Sequence, residues 1–198
     1  KAGFNLNVEP SLDISCGDGL FTFILAGGKT KDRFDMFVDI EENVISKLLR
    51  DKKSDIFDSF NKARDIDPVK SPSLFKISCG TDIKKILLDK ANRLNLYRGL
   101  LIADNNYTLP FDNNIFKRVY SNSIYWVENI TLHIKEISRI VAPGGIVILQ
   151  IKTDKGLDAF DWKFPWLSKD SKTILDRGRH ETYKSIKPIS WWLSQFKK

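Results

Sequence analysis

SLDISCGDGLFTFILAGG, Ser11 to Gly28, decides how this chain is read. A short apolar run, Leu12 to Ile14, reads as a buried strand with Asp13 in it. Small residues follow, with glycines at 17 and 19, and then Leu20 to Ala26 reads as an apolar helix stopped by Gly27-Gly28. A strand that turns through glycines into a helix is built to hold a ligand at the carboxyl edge of a sheet. Glycine lets the backbone approach closely, and the helix N-terminus faces whatever is bound. Asp13 stands where a cation such as an ammonium would be welcome. Taken alone, Gly17-Asp18-Gly19 reads equally well as a tight turn.

Outward from this stretch, strand and helix alternate, the pattern of a parallel sheet covered on both faces. Strands are expected at Leu74–Ser78, Gly99–Ala103 (GLLIA), Lys117–Ser121 (KRVYS) and Ile146–Ile151 (IVILQI). Asp82–Leu96 carries Ile83, Leu87, Ala91 and Leu94 on one helical face, and Glu128–Val141 places Ile130, Ile134, Ile137 and Val141 in register. Ala142-Pro143-Gly144-Gly145 reads as a turn, and SWWLSQFKK (Ser190–Lys198) as a short final helix. Two regions break the rhythm. Residues 29–73 are too long for an ordinary connection; Phe34–Ile40 reads as a strand there and Glu41–Leu49 as a helix. Residues 152–188 hold Phe160, Trp162, Phe164, Trp166, Arg177 and Arg179, side chains suited to a lid or acceptor-binding segment. They serve as readily to cover the sheet and to sit in water.

Composition narrows the class. With 198 residues, 42% hydrophobic and 29% charged, the chain suits one globular domain, 1–198. It contains no apolar run near the ~20 residues of a membrane span. Two cysteines, Cys16 and Cys79, do not make a disulfide framework, and a reduced, cytoplasmic setting is expected. With only His133 and His180 beside them, no metal site is expected. The net charge of +7 favours anionic partners in general, although the bases are dispersed among acids.

LDISCGDG, then Asp104 with Leu109-Pro110-Phe111, then Arg139-Ile140-Val141-Ala142-Pro143-Gly144-Gly145, come in one order. Together they resemble the class I S-adenosylmethionine-dependent methyltransferases, in particular the type 11 methyltransferase domain family, over about residues 11–28 and 74–151. The resemblance implies a Rossmann-like α/β fold, mostly parallel, and S-adenosylmethionine as cofactor. Departures are Ser15 where the family has its first glycine, Val141-Ala142 before Pro-Gly-Gly, and the insertion at about 29–73.

The resemblance also implies a set of cofactor-binding positions. Asp13 and the Ser15, Cys16, Gly17 and Gly19 turn would hold the methionine part, Asp104 and Asn105 the adenine, and Ser121 and Asn122 the region near the methyl group. An acid after the second strand would hold the ribose, with its neighbour beside it. The spacing rule from Gly19 reaches Asp39, but Asp82 (with Ile83) stands 22 positions before Asp104, room for one helix and one strand, where Asp39 stands 65 before it. Asp82 is therefore favoured, and Asp39 reads as a surface acid. Cys16 reads as a buried filler rather than a nucleophile.

Methyl transfer from such a cofactor to a hydroxyl or a protonated amine needs a base. His180 is the first candidate, with His133, Glu128 and Tyr125 behind it. SNSIYW after the fourth strand lacks the N/D-P-P-aromatic motif of enzymes that methylate nucleobase amines, so a small molecule, sugar or lipid-linked acceptor is expected and nucleic acid is disfavoured. The other class of function is a methyltransferase-like domain that has lost its cofactor and serves as a binding or structural module. A nicotinamide-dependent enzyme is argued against by the absence of G-x-G-x-x-G. The opening KAGFNLNVEP looks like the continuation of a terminal helix, so truncated or reordered ends are expected, with Phe4–Val8 as a strand on the fifth-strand side.

Overall fold

The computed structural model describes residues 7–31, 44–51, 54–55, 58, 67–151 and 185–196. Apolar and β-branched runs form five parallel strands: β1 (Ser11–Ile14), β4 (Ile77–Asp82), β5 (Tyr97–Ile102), β6 (Phe116–Ser121) and β7 (Val141–Leu149), in the spatial order β5-β4-β1-β6-β7. Between them run α1 (Leu20–Leu25), α3 (Lys85–Arg93) and α4 (Ile130–Ile140), and α5 (Ile189–Gln195) closes the described chain. This is the expected Rossmann-like α/β fold. The order runs outward from β1 in both directions, so the chain reverses its progression beside β1, where open α/β sheets bind ligands.

Strand alternation separates two cores. Leu12 and Ile14 pack with Val119, Ile137 and Ile140, on the face covered by α4. Phe23 of α1 and Ala91 of α3 pack with Ile77, Tyr97 and Tyr120 on the other side. Right-handed crossovers put these helices on opposite faces. Asp13, between Leu12 and Ile14, therefore faces the α1/α3 side.

Two expectations change in detail. The strand expected to start at Leu74 is β4, displaced to Ile77–Asp82, so Asp82 ends a strand rather than opening a helix. The turn expected at Ala142–Gly145 is a bulge within β7: Phe116 pairs with Val141 and Arg118 already pairs with Ile146. Gly144 has φ 73°, and a Cβ on Gly145 would lie 2.8 Å from the Ala142 carbonyl and 3.0 Å from that of Phe116.

In 29–73, β2 (Lys29–Thr30) pairs antiparallel with β3 (Val69–Ser71), so the chain leaves and returns at one point. The expected helix is α2, Val44–Arg50; the expected strand Phe34–Ile40 lies outside the described residues. Asn7 and Val8 belong to no strand, and Phe4 to Leu6 lie outside the described residues.

Helix α4 grips the loop that joins β5 to β6. Glu136 accepts from the Leu109 amide (2.8 Å), and Arg139 donates to the carbonyls of Leu109 (3.0 Å) and Phe111 (2.7 Å) and to Glu136 itself (2.6 Å). The Leu-Pro-Phe and Arg…Pro-Gly-Gly motifs are thus two halves of one clamp. Arg139→Ala removes the countercharge of Glu136 and the guanidinium donor to two loop carbonyls in a half-buried site, and should cost about 2 kcal/mol in urea unfolding. Arg139→Lys should recover little of it, because a single ammonium cannot replace the planar fork. A loss below about 1 kcal/mol would show the clamp to be incidental.

Candidate functional site

The turn after β1 is built from strained backbone. Ser15 (φ 54°), Gly17 (φ 58°) and Gly19 (φ 75°) all occupy the left-handed region. Ser15 is a β-carbon residue in a conformation that costs it roughly 1–2 kcal/mol. It is held there from two sides: Asn105 donates to its hydroxyl (2.5 Å), and the Ser123 hydroxyl donates to its carbonyl (3.4 Å). Serine thus holds a left-handed position that favours glycine, and its hydroxyl ties the turn to the loop after β5.

The two glycines are required for different reasons. A Cβ at Gly17 would meet nothing within 4 Å, so that side of the turn is open. A Cβ at Gly19 would lie 2.9 Å from the Tyr97 ring and 3.2 Å from Ala91. What passes close to Gly19 is the protein's own tyrosine.

The sequence-selected residues meet at the carboxyl edge of the sheet. Asp82, at the end of β4, accepts from the Gly17 amide through Oδ2 (3.0 Å) and from the Lys84 amide through Oδ1 (2.9 Å). Cys16 donates its amide to the Thr81 carbonyl (2.8 Å), so the turn leans on β4. Ile83, next to Asp82, is 56% exposed. Asp104 and Asn105 follow β5, where the Ala103 amide bonds the Asp82 carbonyl (3.1 Å). Asp104 turns back on Asn106, accepting from its backbone and side-chain amides. Ser121, buried, ends β6, and Asn122 follows it. Five side-chain oxygens along this edge are buried without a hydrogen-bond partner: Asp13 Oδ1, Asp18 Oδ2, Thr81 Oγ1, Asn105 Oδ1 and Ser121 Oγ.

Asp13 is 1% exposed, and its Oδ2 accepts from the Tyr97 hydroxyl at 2.7 Å. Burial pushes its carboxyl up to about 6, against the Thr22 and Tyr97 hydroxyls that pull it down, and the Asp82 charge adds to the rise. Burial likewise raises Asp82, against the amides that bond it. Burial and the same two carboxylates drive the Cys16 thiol far up, which keeps it protonated and unreactive. His133 is fully buried on α4, and neither ring nitrogen makes a hydrogen bond. Burial pushes it down to about 4, against the Asn105 backbone and Glu136, so it is a neutral core residue at physiological pH. Glu128 lies at the surface, its amide bonded to Asn106. His180, Asp39, Phe160, Trp162, Phe164, Trp166, Arg177 and Arg179 lie outside the described residues, and of Tyr125 only the backbone is described. Sequence reading passed over Tyr97. A lone tyrosine opening a strand carries no motif, and its only signal is the pair of glycines that make room for it.

Residues 63–149 match the family model of the methyltransferase domain. No curated protein matches the chain. Among solved structures, the complex between the Haloferax volcanii Trm112 methyltransferase activator and a methyltransferase aligns at 16% identity over 94% of this chain and 58% of that one, TM-score 0.50. An S-adenosylmethionine-dependent methyltransferase of Thermotoga maritima, described as a possible histamine N-methyltransferase, aligns at 14% identity over 94% and 60%, TM-score 0.50. A protein of Bacillus halodurans assigned as a methyltransferase aligns at 15% identity with the same coverage and TM-score. These likenesses bear on the fold, and the chain spans 58% to 60% of the length of these structures.

The two shifted groups make opposite contributions to stability. Folded Asp13 holds its proton more tightly than the ordinary 3.8, so its destabilising charge is relieved as pH falls from 6 to 4. Folded His133 holds its proton less tightly than the ordinary 6.5, so stability is lost as pH falls from 6.5 to 4. Asp13→Asn should raise the unfolding free energy by about 2 kcal/mol at pH 7, with the gain vanishing near pH 4. The variant's stability should then fall more steeply than wild type between pH 6.5 and 4, read by urea unfolding at each pH. A variant less stable than wild type at pH 7 contradicts the assignment.

Proposed function

We propose that this chain, whose residues 63–149 match the methyltransferase domain model, binds S-adenosylmethionine at the carboxyl edge of β1, β4 and β6 and directs its methyl group to an oxygen or nitrogen acceptor. One observation carries the reading: Asp82, Asn105 and the Ser15–Gly17 turn are tied together by hydrogen bonds at one edge, with buried oxygens left unpartnered beside an open glycine. Buried polar atoms are normally paired, so orphans clustered at a sheet's switch point fit a polar ligand.

The residues fit the cofactor's chemistry. Asp13 offers a negative charge to the ammonium of the methionine part, and the Gly17 side of the turn lets backbone come close. Asp82 offers the carboxylate suited to paired ribose hydroxyls, with exposed Ile83 as an apolar surface beside it for a ring. Asp104 and Asn105 supply polar edges for the base, and Ser121 and Asn122 line the end of β6. When bound, S-adenosylmethionine supplies a sulfonium-activated methyl group. The chain's own work is to align the acceptor and exclude water, which accounts for a large share of the rate in such displacements. A base, where the acceptor needs one, comes from outside the buried set, and His180 is the residue we favour.

The acceptor is a small molecule, a sugar or a lipid-linked compound, bound with the help of 152–188 in a single domain that carries an insertion at about 29–73. Support comes from the two ends of the former segment. Ile151 packs against the cluster of Ile124, Val127, Ile130, Ile134 and Trp192, and Trp192 belongs to α5 just beyond the segment's return. Both ends therefore sit by the short helix Ile124–Trp126 that follows Ser121-Asn122. Among the described residues no helix is long and apolar enough to cross a membrane.

Calorimetric titration with S-adenosylhomocysteine should give one site with Kd between about 1 μM and 1 mM. Gly17→Ala should cost only about 1 kcal/mol of stability, from its positive φ, yet weaken binding at least tenfold, because its new Cβ projects into the open side. Gly19→Ala should instead lose stability first, by displacing Tyr97. No heat of binding at millimolar ligand in the folded protein would remove the enzyme and favour a cofactor-free binding module.

A further inference from the structure

Tyr97 opens β5, the outer strand of the sheet, two strands away from β1. Its ring nevertheless reaches Asp13, and the sequence clears the route. Over β4, a Cβ on Gly80 would lie 2.9 Å from the ring. Under the start of α1, Gly19 leaves the space its Cβ would take, and Ala91 of α3 borders the same slot. At the end of this slot the hydroxyl donates to Asp13 Oδ2 at 2.7 Å, and Oδ1 keeps no partner. Filling a core needs no phenol; a phenylalanine would pack the same slot. The hydroxyl is retained where it meets a buried carboxylate.

The groups acting on Asp13 are Thr22 from α1, Tyr97 from β5 and Asp82 from the end of β4. Cys16 from the turn and Tyr120 from β6 feel its charge and are themselves held neutral. None of these is a cation. The negative charge is therefore met by neutral hydroxyls alone, Tyr97 on Oδ2 and Thr22 beside the carboxyl, and Oδ1 makes no hydrogen bond.

We propose that Tyr97 is the positioning residue for Asp13: its hydroxyl fixes the carboxylate through Oδ2 and reserves Oδ1 and the charge for the ammonium of the bound ligand. The proposal rests on the S-adenosylmethionine reading above. Tyr97 touches no ligand atom in it and acts only through Asp13. It explains why an internal aromatic, rather than the ligand, dictates Gly19 and Gly80. It also implies that binding weakens in acid, as Asp13 takes up a proton and loses the charge that attracts the ammonium.

The test is the pH profile of S-adenosylhomocysteine affinity, from pH 5 to 8, for the wild type and Tyr97→Phe. Wild type should bind throughout the neutral range and lose affinity below about pH 6. Tyr97→Phe, which still fills the slot, should shift that acid limb upward by about one pH unit and weaken binding about tenfold at pH 7, the worth of a hydrogen bond to a charged group. Asp82 titrates alike in both proteins, so the difference between the profiles reports Asp13. In an Asp13→Asn background, Tyr97→Phe should leave the profile unmoved. A Tyr97→Phe limb superimposable on wild type overturns the positioning role while the cofactor reading stands. Absence of wild-type binding at every pH overturns both. Should Tyr97→Phe not fold, site-specific 3-fluorotyrosine at position 97, a stronger donor of the same shape, should move the limb downward, and an unmoved limb refutes the proposal.

Discussion

A carboxylate inside the sheet is the constraint from which the rest of this structure follows. Asp13 sits in a four-residue strand with every residue buried, on the face closed by α1 and α3. An ionised group there is costly unless something answers its charge. The protein answers only with neutral hydroxyls, Tyr97 on Oδ2 and Thr22 beside the carboxyl, and Oδ1 makes no hydrogen bond. To bring that hydroxyl in from the outer strand, it removes side chains at Gly19 and Gly80 and keeps Ala91 small. The glycine pattern that announces a ligand site is in part the imprint of this internal support. On the proposed reading, this buried charge trades stability for an attraction to a cationic group, as strained functional positions commonly do.

The second organising element is α4. Asn129 caps the helix on the Leu132 amide, and the amides of Glu128 and Asn129 bond the Asn106 side chain. One turn later comes buried His133, which feels the Asn105 backbone, and further on Glu136 and Arg139 hold Leu109 and Phe111. A single helix thereby fixes the whole loop that carries Asp104 and Asn105, and Asn105 passes that order on to Ser15. The Lys84 ammonium, meanwhile, bonds Asp55 and Asp58 of the segment between β2 and β3 (2.8 and 2.6 Å), which places that segment beside the loop carrying Asp82. Neighbouring loops are thus coupled through hydrogen bonds as well as through the packing of Leu109 in the α4-side core.

Much of the fold was legible because its signals are local. Short strands separated by helices with clear periodicity leave few arrangements once parallel pairing and right-handed crossovers are imposed. Chain length alone favoured Asp82 over Asp39; the structure puts Asp82 at the end of the strand beside β1, bonded to Gly17, and Asp39 lies outside the described residues. Less legible was anything that depends on a side chain crossing between strands. Tyr97 and Asp13 are far apart in sequence and meet only because β4 lies between them with a glycine at the crossing point. The bulge at Ala142–Gly145 was read as a turn because Pro-Gly-Gly signals both alike; pairing with β6 on either side is what distinguishes them. Arg139 was recognised as part of a pattern, while its physical role, holding two loop carbonyls, appears only once α4 is laid against that loop.

The central claim is that a sulfonium nucleoside is held across the ends of β1, β4 and β6. A crystal structure of the chain grown with S-adenosylhomocysteine tests it most directly. The account predicts ligand density with its amino group at Asp13 Oδ1, its ribose at Asp82 and its base beside Ile83 and Asn105. Density elsewhere on the molecule, or protein side chains closed over the Gly17 turn with the nucleoside absent, would contradict it.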